Sequence, residues 1–116
     1  MSKQFTSSKQ RALTFVGTMY YLAPEVWKWE TYSYEADIWA LGVVLYELCT
    51  GGRYPFDPPD CNENTMAKMV IREKYPPIPD YYSTALKKLV EGMLKKNPKD
   101  RPPIETIIKG HPLLKD

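Results

Sequence analysis

The sequence has few of the residues that build metal sites, disulfides and phosphate-binding loops. Its 116 residues include one histidine, two cysteines and six glycines. His111 stands alone, and Cys49 and Cys61 lack the C-x-x-C or Cys/His spacing of a zinc or redox site. The glycines, at positions 17, 42, 51, 52, 92 and 110, cannot form a G-x-G-x-x-G loop. We therefore predict no metal site and no disulfide framework, which favours a reduced environment.

The sequence also lacks an excess of charge of one sign and a long apolar run. The net charge is +2, with acidic and basic residues interleaved, so no basic stripe indicates nucleic-acid binding. The longest apolar stretch, 38–48, contains Glu47 and is far shorter than the ~20 residues that span a bilayer. Ser2 stands where myristoylation needs a glycine. These features predict no nucleic-acid or membrane partner and a cytoplasmic location.

The remaining pattern is that of one helical domain. Hydrophobic residues make up 43% and charged residues 26% of the chain, which is ordinary globular composition. The segment 34–50 is apolar on nearly every face, so it is predicted to be a buried central helix. Asp100 is the predicted N-cap of the last helix, whose buried face would be Ile104, Ile107 and Ile108. The prediction is an all-α fold of about five helices: from Pro24 to about 29, 34–50, from 62 or 64 to 74, about 86–94, and from about 102 to 110.

Four motifs then follow one another in a recognisable order. Ala23-Pro24-Glu25 closes a segment that begins at Gly17, and twelve residues after it Asp37-Ile38-Trp39-Ala40-Leu41-Gly42 has the form D-x-W-x-x-G. Pro55-Phe56 and Asp100-Arg101-Pro102 come next. In this order the motifs resemble the C-terminal lobe of a protein kinase, from the end of the activation segment onward. The resemblance implies a C-lobe fragment with the N-lobe absent.

Shorter stretches are similar to the NIMA-related (NEK) serine/threonine kinases. They are Thr14-Phe15-Val16-Gly17-Thr18, 45–50 and 75–79, while Met19 departs from the proline that the family has there. The resemblance divides a partial kinase domain, 1–116, into an activation segment with a substrate-docking loop, 1–25, and a helical C-lobe, 26–116. The family's activity is ATP- and Mg²⁺-dependent phosphorylation of protein serine or threonine. Beside the cytoplasmic location, the resemblance leaves the cytoskeleton and the nucleus open.

The motifs that carry this chemistry are missing from the sequence. It contains no Val-Ala-Ile-Lys, His-Arg-Asp or Asp-Phe-Gly, and phosphoryl transfer depends on the positioning and charge of those groups. We therefore predict no catalytic, cofactor-binding or metal-binding residue and no activity of this chain alone. ATP and Mg²⁺ would bind the intact family domain. The alternative is a noncatalytic interaction or scaffold module derived from a kinase.

The resemblance assigns roles to residues of the first segment. Thr14 matches the regulatory phosphorylation site of the activation loop, and its other reading is an exposed loop threonine. Gly17, Thr18, Tyr20 and Tyr21 match the substrate-docking loop. Because the catalytic partners of Thr18 are not encoded, a structural role is the other reading for this loop. The implied partners are protein substrates or another kinase, and the oligomeric state stays open.

A second set of residues matches the structural motifs of the lobe. Its members are Ala23, Pro24, Glu25, Asp37, Trp39, Gly42 and Arg101. Glu25 and Arg101 are expected to form a buried ion pair. In the family Asp37 accepts hydrogen bonds from the catalytic loop, and without that loop it could cap its helix. For the same reason, part of the central helix is expected to be uncovered.

Overall fold

The fold consists of helices arranged around one central helix. The structure, a computed structural model, describes residues 18–80 and 82–110, so Thr14 and Gly17 lie outside the described residues. That part holds five α-helices, two 3-10 turns and no strand, which confirms the predicted all-α class. Within it, no helix is long and apolar enough to cross a membrane. The elements are α1 (Pro24–Trp27), α2 (Tyr34–Cys49), α3 (Glu63–Arg72), α4 (Thr84–Met93) and α5 (Ile104–Gly110), with 3-10 turns at Thr18–Tyr21 and Pro98–Asp100.

Helix α2 is the centre of the fold. It packs against α4 and against the first 3-10 turn, and Trp39, Val43 and Tyr46 are almost completely buried. It ends before Gly51 and Gly52, whose φ angles of 73° and 99° belong to the left-handed region. Glycine adopts that region without the steric cost of a Cβ atom. The two glycines therefore end the helix, and the proline-rich loop, residues 53–60, follows them.

One side of α2 is exposed, so the prediction of a helix buried all round is wrong. Tyr34, Leu41, Val44 and Leu48 are 50%, 39%, 40% and 71% exposed. Their spacing of seven, three and four residues places them on one face. No element of the described residues packs there, which confirms the expectation of a partly uncovered central helix. We call these four residues the exposed stripe.

Helices α3 and α4 are amphipathic and start at side-chain caps. The carboxamide of Asn62 accepts hydrogen bonds from the backbone N–H groups of Asn64 and Thr65, and the Ser83 hydroxyl accepts one from the N–H of Leu86. Such caps satisfy N–H groups that have no partner within the helix. Each helix then buries one face, including Val70 in α3 and Val90 in α4.

Helix α5 corrects two expectations. Asp100 does not cap it, because Asp100 lies in the second 3-10 turn and Arg101 is extended, with φ −81° and ψ 142°. Two prolines follow Arg101 before α5 starts at Ile104. Of the three isoleucines only Ile107 is buried, in contact with a cluster from α2 and α4, whereas Ile104 and Ile108 are 38% and 51% exposed. The helix thus packs through a narrow contact.

The proline-rich loop after α2 has a deeply buried aromatic side chain. Phe56 is 2% exposed, and its ring lies parallel to that of Trp39 with 6.4 Å between centroids. The ammonium of Lys96 lies 4.2 Å from the centroid of the Phe56 ring and donates a hydrogen bond to the carbonyl oxygen of Val70. The loop, α2 and the end of α3 therefore meet around one cation.

Candidate docking surface

The turn Thr18–Tyr21 presents two tyrosine rings beside the proline-rich loop. The Tyr20 ring stacks on that of Tyr54 with 3.9 Å between centroids and an interplanar angle of 9°. Tyr21 meets the same Tyr54 ring edge-on at 6.0 Å and 86°. The edge-to-face contact of Tyr21 with Tyr54 is a geometry that aromatic pairs favour. Tyr54 therefore links both tyrosines of the turn to the loop that follows α2.

Both tyrosine hydroxyls are held by carboxylates. Tyr21 donates to Oε1 of Glu47 at 2.5 Å, and Tyr20 donates to Oδ1 of Asp57 at 3.3 Å. The hydrogen bond to Glu47, with burial, raises the pKa of Tyr21, and burial with the charge of Asp57 raises the pKa of Tyr20 to about 12. Both phenols thus keep their protons at neutral pH and act as donors. These two hydrogen bonds connect the turn both to α2, through Glu47, and to the proline-rich loop, through Asp57.

A buried ion pair ties the next segment to the far end of the chain. The guanidinium of Arg101 meets the carboxylate of Glu25 through two hydrogen bonds, Nη1 to Oε2 and Nη2 to Oε1, both 2.8 Å long. The side chains are 0% and 3% exposed. This pair is the one expected from the resemblance. It joins α1 to the turn before α5 across 76 sequence positions.

The remaining N–H groups of Arg101 are also used. Nε donates to the carbonyl oxygen of Lys95, Nη1 to that of Glu35 and Nη2 to that of Lys96. The guanidinium carbon lies 5.2 Å from the centroid of the Trp39 ring. All five donors of the side chain therefore have acceptors. Such full satisfaction is the condition under which a buried charge is tolerated.

Asp37 has a partner other than those expected. It lies in the first turn of α2, whose N-cap is Ser33, so Asp37 does not cap the helix. Its carboxylate is exposed and accepts a hydrogen bond from the Tyr32 hydroxyl. This bond is the main cause that raises the pKa of Tyr32 to about 12. The role of Asp37 toward a catalytic loop stays a prediction.

Comparison with known proteins identifies the family. The family model described as "Protein kinase domain" matches residues 1–114. The chain belongs to the protein kinase family. It is 37% identical over 108 residues to serine/threonine-protein kinase Nek1 of Mus musculus, an alignment that covers 93% of this chain and 9% of that protein. It is 42% identical over 100 residues to the G2-specific protein kinase nimA of Emericella nidulans, covering 84% of this chain and 13% of that protein.

A human relative extends the same result to a third protein. Serine/threonine-protein kinase Nek5 of Homo sapiens is 35% identical over 109 residues, with 94% of this chain and 15% of that protein covered. The relatives are NIMA-related kinases, and this kinase chain is a partial domain of that group, formed as a helical C-lobe fragment. It spans between 9% and 15% of the length of these three relatives.

The structure also gives the positions of other residues of the kinase motifs. Ala23 and Pro24 are buried at the start of α1, with Ala23 extended and Pro24 in the first turn, a position that tolerates a missing N–H. Gly42 lies where α2 and α4 touch, since an added Cβ would come within 2.9 Å of Met93 Cβ. Thr18 belongs to the first 3-10 turn. The docking role of Thr18, Tyr20 and Tyr21 stays a prediction.

Sequence reasoning missed several partners of the site. Glu47 is 26 positions from Tyr21, whose hydroxyl it binds, and Asp57 is 37 positions from Tyr20. Asp57 and Tyr54 also belong to a loop without periodicity. The one available signal was a tyrosine beside the Pro-Phe pair. The contacts of Lys96 with Phe56 and Val70 also have no signal in the sequence, because residue spacing does not show what lies beside a side chain. Within the described residues, no group of acidic, histidine or cysteine side chains could hold a metal.

Proposed function

We propose that this chain forms the substrate-docking and scaffold half of a NEK-like serine/threonine kinase and that, by itself, it neither binds ATP nor transfers phosphate. The observation that carries the proposal is the fastening of the turn Thr18–Tyr21. Its tyrosines are held by Glu47 and Asp57, and the following Glu25 is held by Arg101. Such attachments preorganise a loop for a protein segment.

The chemistry of transfer needs groups that this sequence does not contain. A glycine-rich loop, a phosphate-binding lysine and metal-binding carboxylates position ATP in kinases. The 116 residues include no G-x-G-x-x-G, Val-Ala-Ile-Lys, His-Arg-Asp or Asp-Phe-Gly. ATP and Mg²⁺ therefore belong to the intact family domain in this proposal, and the partners of this chain are protein substrates.

Thr14 completes the proposal as a regulatory position. A phosphate there would add negative charge to the segment that precedes the docking turn. The arginine of a His-Arg-Asp motif, which would bind that phosphate in a whole kinase domain, is not encoded in this sequence. The proposed regulation accordingly operates when the chain acts with such a motif.

The exposed stripe of α2 favours a second function, that of a noncatalytic module. Four apolar or aromatic side chains on one helical face are suited to bind a protein. Like the first proposed function, this one involves no transfer of phosphate. The two differ in which surface is used, the turn Thr18–Tyr21 or the stripe.

A transfer assay tests the proposal. The purified chain is incubated with radiolabelled ATP, Mg²⁺ and dephosphorylated casein, with heat-unfolded chain as the matched control. The expected incorporation into casein and into the chain itself equals that of the control. Incorporation above the control that depends on Mg²⁺ would show that the chain carries its own transfer site, and the proposal would be abandoned.

A further inference from the structure

A cavity of about 270 Å³ opens between the end of α2 and the segment 76–79. Tyr46 of α2 lines it, together with Thr50, Arg53 and Tyr54, which follow that helix. The remaining lining residues are Pro76, Pro77 and Pro79. The Tyr54 ring also stacks on Tyr20, so the cavity borders the candidate docking surface.

The hydroxyl groups of Tyr46 and Thr50 already form hydrogen bonds inside the protein. Tyr46 donates to the carbonyl oxygen of Pro76 at 2.6 Å. Thr50 donates to the carbonyl oxygen of Tyr46 at 2.8 Å and accepts from the backbone N–H of Arg53 at 3.2 Å. The three prolines of the lining have no backbone N–H that could donate to a ligand. A ligand would therefore find mainly ring surfaces and the side chain of Arg53.

Arg53 gives the cavity one positive charge and no balancing negative one. Its side chain is exposed, and among residues 18–80 and 82–110 no carboxylate forms an ion pair with it. Burial raises the pKa of the Tyr46 phenol, and the charge of Arg53, which lines the same cavity, opposes that shift. The lining contains no acidic residue. A bound group that complements it carries a negative charge on an otherwise apolar body.

We propose that this cavity binds an acidic side chain of a partner protein, with an aromatic side chain two residues along the same extended segment. A carboxylate matches the planar fork of Arg53. The electron-rich face of the aromatic ring would pack on the C–H groups of Pro76, Pro77 and Pro79. In an extended segment, residues i and i+2 point to one side. The proposal goes beyond the proposed function, because the cavity lining contains no residue of the turn Thr18–Tyr21 and none of the exposed stripe.

The test uses two tripeptides that differ in one group. The probe is acetyl-Glu-Gly-Phe-amide, whose single carboxylate is the glutamate side chain, and its matched control is acetyl-Gln-Gly-Phe-amide. Each is titrated into the nitrogen-labelled full chain and followed by amide chemical shifts. The glutamate peptide should shift the amides of Thr50, Arg53 and Tyr54, and the glutamine peptide should bind about tenfold more weakly, as expected for loss of a charge-assisted hydrogen bond.

Variants of the chain locate the interaction. Arg53→Gln should remove the difference between the two peptides, and Arg53→Lys should keep part of it because the charge remains. Arg72→Gln is the matched control, since it removes the same charge from the exposed end of α3, away from the cavity lining. It should leave both affinities unchanged. Circular dichroism and a melting curve establish that Arg53→Gln is folded, and Arg53→Lys carries the test if it is not.

Four outcomes would overturn the proposal. The two peptides could bind with equal affinity, the shifts could map to residues away from the cavity, or no saturable shift could appear at millimolar peptide. An unchanged preference for the glutamate peptide in Arg53→Gln would equally exclude Arg53 as the site of the carboxylate. A negative transfer assay has no bearing on any of these results, so the failure of this proposal and of the proposed function are distinguishable.

Discussion

The Arg101 side chain is the most fully bonded polar group of the described structure. Its guanidinium joins the carboxylate of Glu25 to three backbone carbonyls, one in α2 and two in the loop that follows α4. Loss of Glu25 would leave this cation buried without its counter-charge. Loss of Arg101 would leave a buried carboxylate without its counter-charge, and three carbonyl oxygens would each lose a hydrogen bond.

A double-mutant cycle measures how much the pair contributes. Glu25→Ala or Arg101→Ala alone should lower the free energy of unfolding by about 3–5 kcal/mol, the usual cost of breaking a buried pair. The coupling energy should exceed about 1 kcal/mol, the upper end for exposed pairs. The measurement is chemical denaturation of the four chains. Additive effects would mean that the two side chains do not interact in solution.

An exposed ion pair provides the control for this cycle. Lys87 Nζ lies 2.8 Å from Asp80 Oδ1, the same distance as in the buried pair, yet the Asp80 side chain is 98% exposed. Its cycle of alanine substitutions should give a coupling below about 1 kcal/mol because water screens the charges. A coupling as large as that of the buried pair would contradict the account of burial.

Lys96 allows a prediction about pH. Burial lowers the pKa of its ammonium to about 8, below the ordinary 10.5, and the charge of Glu73 opposes this in part. Between these two values the unfolded chain holds a proton that the folded chain has released, so raising the pH favours folding. The stability from this group is complete above pH 10.5 and is lost as the pH falls through about 8.

The comparison variant is Lys96→Met, which keeps most of the stem and removes the titrating group. The free energy of unfolding of the native chain, minus that of Lys96→Met, should rise from pH 7 toward pH 10 in denaturation curves. Tyrosine ionisation in the unfolded state lowers the stability of both chains near pH 10 and cancels in the difference. A difference that is flat or falls with pH would show that the Lys96 amine is not desolvated as described.

At the scale of elements, the contact between α2 and α4 depends on Gly42. A Cβ atom there would lie 2.9 Å from Met93 Cβ and 3.1 Å from Leu94 Cδ2. Gly42→Ala should therefore lower the free energy of unfolding by about 1–3 kcal/mol, the cost of overpacking a core contact. Thermal or chemical denaturation measures the change.

Gly92 of α4 is the matched control for this substitution. A Cβ atom there would meet only Pro102 Cδ at 3.6 Å and Pro102 Cγ at 3.8 Å, which is ordinary contact. Gly92→Ala should leave the stability unchanged or raise it by up to about 1 kcal/mol, because alanine restricts the unfolded chain and favours helix. Equal destabilisation by both substitutions would remove the reason given for the close approach at Gly42.

Helices whose signals are local were predictable, and those that depend on distant partners were less so. The predicted ranges for α3, from 62 or 64 to 74, and for α4, about 86–94, lie within a few residues of the observed bounds. Helix α5 was misplaced at its start because Asp100 precedes two prolines that keep Arg101 extended. Its buried face was also wrong, since periodicity marks a face as apolar without showing what covers it.

The same distinction holds for the candidate docking surface. The ion pair of Glu25 and Arg101 followed from motif resemblance, because both residues belong to short, ordered motifs. The carboxylates that hold Tyr20 and Tyr21 did not follow from it. Glu47 and Asp57 meet these tyrosines through the folding of α2 and of the proline-rich loop, and neither residue has a local pattern that announces a partner.

At the scale of the whole molecule, the exposed stripe of α2 has a consequence for association. Leu48, 71% exposed, and its neighbours on that face present apolar surface to water. Surfaces of this kind promote association or dye binding. The chain should sediment as more than a monomer or bind a hydrophobic dye, and Leu48→Gln should reduce either effect.

Ile108→Gln is the control, because Ile108 is 51% exposed on α5 and lies outside the stripe. Sedimentation velocity and dye fluorescence of the three chains give the comparison. A native chain that is monomeric, silent to the dye and sharply cooperative on melting would rule out a role of the stripe in association.

Binding of ATP by the purified chain tests the central claim most directly. The claim is that this kinase chain supplies docking and scaffold surfaces but no nucleotide site, since a phosphate-binding loop, lysine and metal carboxylates are not encoded. Isothermal titration calorimetry with ATP and Mg²⁺ should show no saturable heat. Micromolar, Mg²⁺-dependent binding at one site would contradict the claim.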